Sequence, residues 1–338
     1  MKSNLHILVI LVIVTVFTFL LWKMQEGANG DLSSEASTDF AIADTSLVTK
    51  IFIAGTNGGS VLLERSSETR FWTLNGKYLA RKDATDLLLK TFARAEVKSA
   101  VPELQRSTVI RNFAGSGKKV EIYLGEDLPV KTWYIGTATP SHTGTYMLLE
   151  TPEEGKSQEP FVVHLEGFVG FLSTRFFTDE TEWRYTGVFD FPGRSLAEVK
   201  ITDHDFPSKS YSIKSSVSGE ISLFNASGYK VPFTDTLKVQ DKFLRFRKVH
   251  FETYNNHLSQ SDVDSIKLSM PCFTYEVSGF DGRKAHFDVF WKSPGTGMGG
   301  PDDNNHDGEH MFGLTSVGDL VLVQRYVFDP LMAPIFNH

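Results

Sequence analysis

The sequence predicts an α+β protein: an N-terminal transmembrane helix followed by two duplicated modules, each a mainly antiparallel sheet with one packed helix. Three observations support this fold class. An apolar run whose one ionisable residue is His6 occupies residues 5–22, and short β-branched and aromatic runs alternate with turn residues after residue 40. The order of these short elements then recurs in the second half of the chain.

The apolar run from Leu5 to Trp22 would span about 27 Å as a helix, close to the hydrocarbon thickness of a bilayer. Lys23 follows it instead of a small-residue cleavage site, so we expect an uncleaved anchor, with a cleaved secretory signal as the alternative. Residues 1–4 would form a cytoplasmic head and residues 23–38 a flexible tether. The sequence therefore predicts a single-pass protein of the cytoplasmic membrane whose bulk is extracytoplasmic.

Composition narrows the class of function. The 338 residues carry a net charge of −7 and no Lys/Arg cluster, so the charge pattern disfavours nucleic acid as a partner. The 27 Phe residues favour sheet-rich packing. Cys272 is the single cysteine, which excludes an internal disulfide, and we interpret it as a small buried hydrophobic residue.

Residues 39–190 make up the first predicted module. Asn75-Gly76 marks a tight hairpin, and Asp83 is placed as the N-cap of a helix whose apolar face carries Leu88, Phe92 and Ala95. A capping box at Asp179–Glu182 would open a short helix around Trp183. Strands are predicted at 48–53, 61–63, 71–74, 119–124, 130–135, 145–149 and 161–165.

Residues 191–338 make up the second predicted module, a divergent repeat of the first. Ser195–Ile201 echoes Ser46–Ile51, and Val239, Phe243 and Phe246 repeat the helical face after a cap at Thr234-Asp235. A further echo pairs Gly115–Lys119 with Phe280–Lys284, each interpreted as a glycine turn before a strand. Convergent hairpin–helix patterns are the alternative to duplication.

Several motifs over roughly residues 40–190 resemble the domain of unknown function 4340 family of Bacteroidetes-type envelope proteins. They are Trp72–Tyr78, Trp133–Gly136, Gly144–Met147, Pro160–Val163, Gly167–Gly170, Thr174–Phe176 and Glu182–Arg184. The resemblance implies an envelope location and, in some relatives, an association with ABC-transporter or gliding components. It carries no catalytic residues that can be transferred to this chain.

The same motifs indicate scaffolding when considered as physical elements. We expect Gly136, Gly144, Gly167 and Gly170 at positive φ or at close backbone approaches. Trp133, Tyr134, Tyr146 and Phe161 should pack in the core or on a sheet face. Arg175 and Arg184 would form surface ion pairs or, alternatively, neutralise an anionic ligand.

The segment from Asp303 to Gly308 fits the first half of a calcium loop. Asp303, Asn305 and Asp307 supply oxygen at the required spacing, Glu309 adds a carboxylate, and Gly308 allows the turn. Leu314 stands where the bidentate Glu should be, so a polar hairpin loop is the alternative. His306 and His310 would form an i, i+4 zinc pair only on a helix.

The sequence shows no catalytic constellation. We therefore predict a non-enzymatic, membrane-anchored extracytoplasmic protein that serves as a binding or scaffolding subunit of an envelope complex with protein partners. A glycan- or peptide-binding envelope module is the alternative, and an envelope hydrolase is a second alternative.

Overall fold

The computed structural model describes residues 39–66, 71–232, 235–255, 257–294 and 300–336. These fall into two compact units, one ending at Tyr185 and the other beginning at Thr186. The predicted head (1–4), anchor (5–22) and tether (23–38) lie outside the described residues. Within the described residues, no helix combines the length and the apolar character needed to cross a bilayer.

The first unit combines strands with two helices. The helices are α1 (Lys82–Arg94) and α2 (Glu103–Ser116). The strands are β1 (Lys50–Gly55), β2 (Ser60–Arg65), β3 (Trp72–Leu74), β4 (Tyr78–Leu79), β5 (Ala95–Ala100), β6 (Lys118–Tyr123), β7 (Lys131–Ala138), β8 (Thr145–Thr151), β9 (Gly155–Lys156) and β10 (Phe161–Leu165). They form one antiparallel sheet in the order β4-β3-β2-β1-β6-β7-β8-β10-β5, with β9 paired to β8.

The second unit is built in the same way, with helices α3 (Thr236–Arg245), α4 (Gln260–Leu268) and α5 (Arg325–Met332). Its strands are β11 (Gly187–Asp190), β12 (Leu196–Asp203), β13 (Tyr211–Ser215), β14 (Ile221–Asn225), β15 (Lys230–Val231), β16 (Lys248–His250), β17 (Thr253–Tyr254), β18 (Phe273–Gly279), β19 (Lys284–Phe290), β20 (His310–Thr315) and β21 (Leu320–Gln324). The large sheet has the order β15-β14-β13-β12-β18-β19-β20-β21-β17, and β11 pairs separately with β16.

The two large sheets match strand for strand. β1 corresponds to β12, β6 to β18, β7 to β19 and so on to the edges, where β5 corresponds to β17. This shared order supports duplicated modules. It also shows that the predicted echo between Gly115–Lys119 and Phe280–Lys284 is wrong by one hairpin, because those segments precede β6 and β19, which are not equivalent strands.

The boundary between the units also differs from the predicted one at 190/191. β11 pairs with β16 of the second unit, and the amide of Phe251 donates to the carbonyl of Thr186. Residues 186–190 therefore belong to the second unit.

One amphipathic helix packs on the inner face of each large sheet, as the sequence predicts. Leu88 and Phe92 of α1 are fully buried, and the Phe92 ring meets Trp133 edge to face at 5.0 Å. In the second unit, Phe243 of α3 and the adjoining Phe246 are buried, and Phe246 lies 5.6 Å from Tyr275. The i, i+4, i+7 spacing places these side chains on one stripe facing the core.

A second helix covers part of the outer face of each sheet, which the prediction of one helix per module missed. In the first unit, Val109 and Phe113 of α2 pack with Tyr146 and Val162, whose sequence neighbours Met147 and Val163 point into the core. In the second unit, α4 packs with Phe290, Phe312 and Leu320. Among the described residues, each sheet thus has helices on both faces, and in the second unit α5 joins α3 on the inner face through Phe328 and Leu331.

Of the turns and helix caps predicted from the sequence, some are confirmed and others are wrong. Asn75 and Gly76 both have positive φ, which confirms the hairpin turn, and Asp235 caps α3 by accepting from the amide of Lys238 at 2.9 Å. Asp83 is not an N-cap, because α1 begins at Lys82 and Asp83 pairs with Arg81 at 2.6 Å. Asp179 does cap, but the helix it opens is one 3-10 turn, 180–182.

The segment that enters the first unit is held by Phe40 and Lys131. Phe40 is 1% exposed and lies 5.9 Å from Trp133 in an edge-to-face contact. The Lys131 ammonium, at the start of β7, donates to the carbonyls of Asp39 and Ala41 at 2.6 Å each and pairs with the Asp39 carboxylate at 2.9 Å. The chain is therefore fixed to the middle of the sheet from its first described residues.

Lys242 joins α3 to the end of α5. Its buried ammonium donates to the carbonyls of Pro330 at 2.6 Å and Ala333 at 2.8 Å. These carbonyls lie at the C-terminal end of α5, where intrahelical partners are missing. Burial lowers the pKa of Lys242 to about 7.

We predict that Lys242 makes stability depend on pH. Because its pKa is lower in the folded than in the unfolded chain, the unfolded chain binds more protons between pH 7 and about 10, so the free energy of unfolding should rise across that range. Urea titrations of the full chain in mild detergent at pH 7 and pH 9 measure this rise. Lys242→Met should reduce it, and the exposed Lys238→Met on the same helix should not. Equal slopes in Lys242→Met and the unsubstituted chain would contradict the assignment.

Candidate functional site

A groove of about 580 Å³ lies on the outer face of the first sheet, beside α2. This volume falls in the range typical of ligand sites. Its floor is one row of cross-strand neighbours: Ala54 on β1 faces Lys119 on β6, which faces Tyr134 on β7, which faces Leu148 on β8. The floor therefore combines strands that are distant in sequence.

Helix α2 forms one wall of the groove through Ile110, Phe113 and Ala114. The helix can approach the sheet closely because Gly136 has no side chain: a Cβ there would lie 3.0 Å from the Phe113 ring and 3.0 Å from the carbonyl of Tyr146. Gly136 is thus a position where the helix and the neighbouring strand approach the backbone closely, as the sequence suggests.

The C-terminal end of α2 closes one end of the groove. The amide of Thr56 donates to the carbonyl of Gly117 at 3.2 Å, and its hydroxyl to the carbonyl of Gly115 at 3.2 Å. Gly115 and Ser116 are the last residues of α2, so their interpretation as a turn between strands is wrong.

Three lysines line this groove. Lys119 pairs with Glu121 at 2.6 Å, and the Lys156 ammonium lies 3.5 Å from the centre of the Tyr134 ring. Lys118 donates to the carbonyl of Ser173 at 3.0 Å, and burial lowers its pKa. The groove therefore presents the ammonium groups of Lys119 and Lys156 beside apolar surface from Leu148 and α2.

Tyr134 is fixed in the floor by a hydrogen bond. Its hydroxyl donates to the Glu150 carboxylate at 2.6 Å. Burial and this acceptor raise the pKa of Tyr134, so the phenol remains neutral and keeps donating. The ring is therefore a rigid part of the site.

The outer face of the second sheet has a different character. Its recess of about 380 Å³ is lined by side chains of both charges, among them Glu198, Lys200, Glu276 and Lys284. Lys200 contacts Glu276 at 2.5 Å, and Lys214 contacts Glu198 at 3.0 Å. This recess therefore combines acidic and basic side chains, whereas no carboxylate among the described residues lines the groove of the first unit.

A polar cluster surrounds the loop that contains the predicted calcium ligands. Asp302 accepts from the amides of His306 and Asn304 and pairs with Arg325 at 2.7 Å, and the His306 amide above all lowers its pKa to about 2. The His306 ring stacks on Trp291 at 4.4 Å. These contacts order the loop against the start of α5.

The structure does not gather the four predicted calcium ligands around one point. Asp307 is buried and accepts from Lys292 at 2.5 Å and from the amides of Glu309 and His310 at 2.9 Å each. Burial opposes ionisation of Asp307, but these donors outweigh it and lower its pKa to about 2. Asp303, Asn305 and Glu309 are exposed, with Asn305 at φ 61°.

The rest of the loop adds no further ligand set. Leu314 lies on β20 and packs toward α4, and no group of three acidic, His or Cys side chains suited to a metal occurs in the described part of the chain. The calcium site stays a prediction. The helix that a zinc pair of His306 and His310 requires is not present, because His306 lies in the loop and His310 begins β20, facing Glu252 at 3.1 Å.

The other residues that the sequence analysis singled out lie in the core or contact neighbouring side chains. Trp133 and Phe161 are in the core, and Cys272 is buried with the pKa of its thiol raised to about 12 by burial. Arg175 donates to the hydroxyl of Thr91 at 2.7 Å, and Arg184 lies 4.0 Å from the centre of the Tyr78 ring.

Sequence reasoning missed the groove. Lys119 and Tyr134 alternate with the buried Val120 and Ile135, so their outward direction was readable from the strand pattern. The wall of the groove could not be predicted in the same way, because it is formed by α2, a helix that the sequence analysis did not predict.

Comparisons of the chain with family models, with curated proteins and with solved structures find no match. The resemblance to the domain of unknown function 4340 family therefore rests on the sequence motifs alone.

We predict that Asp307 stabilises the loop through its pair with Lys292. Asp307→Asn should lower the melting temperature of the full chain by about 5 °C, because it leaves the Lys292 ammonium without its anion. The loss should be equal in millimolar calcium and in chelator. Asp303→Asn, an exposed neighbour, should have no effect in either condition. A calcium-dependent loss in both variants would instead support the calcium loop.

Proposed function

We propose that this chain is a membrane-anchored extracytoplasmic protein that binds a partner through the groove beside α2 and thereby acts as a binding or scaffolding subunit of an envelope complex. The groove is the observation that carries this proposal. It joins an apolar floor and wall to a small number of polar groups at fixed positions, which is the usual composition of a binding site.

The rigidity of the groove supports a binding role. Leu148 and Tyr134 lie on central strands of the sheet, and Phe113 is held against Gly136. Sites built on regular elements lose little conformational entropy when a ligand binds.

A peptide fits the groove better than a glycan does. Sugar rings bind by stacking on open aromatic faces, and the floor of the groove offers a single aromatic ring, that of Tyr134. We therefore favour a protein or peptide partner, and glycan binding becomes the second choice.

The location belongs to the same proposal. The apolar run from Leu5 to Trp22 is long enough to remain in the bilayer, and the motif resemblance points to the envelope and to ABC-transporter or gliding components.

Partner capture tests the groove. Full-length tagged protein is cross-linked in membranes, solubilised in detergent and purified with its partners. Ile110→Glu places a charge in the apolar wall and should reduce recovery of a stoichiometric partner by about tenfold. Leu104→Glu is the matched control, since Leu104 lies on the same helix and is 96% exposed. Equal recovery with both variants would refute the groove as the binding site.

Topology is tested separately with a reporter. An enzyme that folds only outside the cytoplasm, fused after His338, should be active in intact cells. A fusion partner that works only in the cytoplasm should be inactive at the same position. The reverse pattern would remove the envelope location.

A further inference from the structure

We propose that the groove binds an extended acidic peptide in which two carboxylates flank an apolar side chain at alternate positions. This inference rests on the proposed binding function and specifies its ligand. It follows from the charge of the groove, the spacing of its lysines and the apolar surface between them.

The charge of the lining is of one sign. Lys119 and Lys156 present their ammonium groups on this face, Lys118 lines the groove but directs its ammonium to the carbonyl of Ser173, and no Asp or Glu among the described residues lines the groove. The nearest carboxylates already have partners: Glu121 accepts from the hydroxyl of Tyr123 at 2.8 Å as well as pairing with Lys119, and Glu150 accepts from Tyr134. The groove therefore complements a negative ligand.

The positions of the two outer lysines set the length of that ligand. Lys119 lies on β6 and Lys156 on β9, three strands away across β7 and β8. At about 4.8 Å between neighbouring strands, their backbones are about 14 Å apart across the strands, and Lys156 is offset along them by two residues because it faces Glu150 and not Leu148. An extended peptide rises about 3.4 Å per residue, so residues i and i+4 span the same distance and point to the same side.

The floor between those lysines is apolar. Leu148 is 5% exposed, and Ile110 and Phe113 of α2 stand beside it. Residue i+2 of the same peptide would point at this surface, so an apolar side chain there buries its surface while the carboxylates reach the lysines. A lipid with a single anionic head group would satisfy one lysine only.

The present contacts of these lysines are easily exchanged. The Lys119 side chain is 43% exposed, and Glu121, which is 17% exposed, keeps the hydrogen bond from the hydroxyl of Tyr123 when Lys119 turns away. The Lys156 ammonium rests on the Tyr134 ring, over the floor and not away from it. Both can therefore turn to a ligand carboxylate without disrupting the fold.

Fluorescence anisotropy with the full-length protein in mild detergent tests the inference. The probe is a labelled peptide with the core Glu-Ser-Leu-Ser-Glu, compared with Gln-Ser-Leu-Ser-Gln and with Lys-Ser-Leu-Ser-Lys. We expect saturable binding of the acidic peptide, at least about tenfold weaker binding of the amide peptide, and a loss of affinity as salt increases.

Variants locate the binding. Lys119→Gln combined with Lys156→Gln should lower the affinity for the acidic peptide by about tenfold or more. Lys200→Gln combined with Lys214→Gln, an equal change of charge in the second unit, should leave that affinity unchanged. Equal affinity for acidic and amide peptides would overturn the proposal. So would full competition by vesicles of an anionic phospholipid, which would identify a lipid as the ligand.

Failure of this inference can be told apart from failure of the proposed function. If Ile110→Glu abolishes partner capture but no acidic peptide binds, the groove is a binding site for another chemistry. If Ile110→Glu leaves partner capture intact, the groove itself is not the site.

Discussion

Burial of one helical face against the inner side of an antiparallel sheet is the constraint on which each unit depends. Phe92 against Trp133 and Phe246 against Tyr275 are the centres of these contacts, and all four rings are fully buried. Because interiors are close-packed, such contacts fix the position of the helix and, through it, the order of the strands around it. Both large sheets have the same nine-strand order, and each packs its inner face against a helix in the same way.

The outer faces are under weaker constraint, and there the two units differ. In the first, α2 stands over an apolar floor and leaves a groove with lysines at its rim. In the second, the carboxylates of Glu198 and Glu276 line the recess on the corresponding strands. A shared scaffold with divergent outer faces allows one module to bind while the other supplies structure.

The sequence predicted those parts of the fold that have a strong period. The apolar stripe of α1, the Asn75-Gly76 turn and most strands of the first sheet were all recognisable. Helix α2 was not, because Val109 is its single buried residue and two glycines near its end suggest a turn. The groove was missed because Lys119 and Lys156 become neighbours only through the sheet order. In the 303–309 loop the motif predicted ligand types but not that Lys292 would pair with Asp307.

The attachment of the entering segment to β7 has a mechanical consequence. A pull on the chain ahead of residue 39 meets the Lys131 ammonium and the Phe40 ring before it reaches any hairpin at the sheet edge. The load then enters a central strand, whose hydrogen bonds on both sides must shear together. The first unit is therefore arranged to carry tension from its N-terminal end without peeling open from an edge.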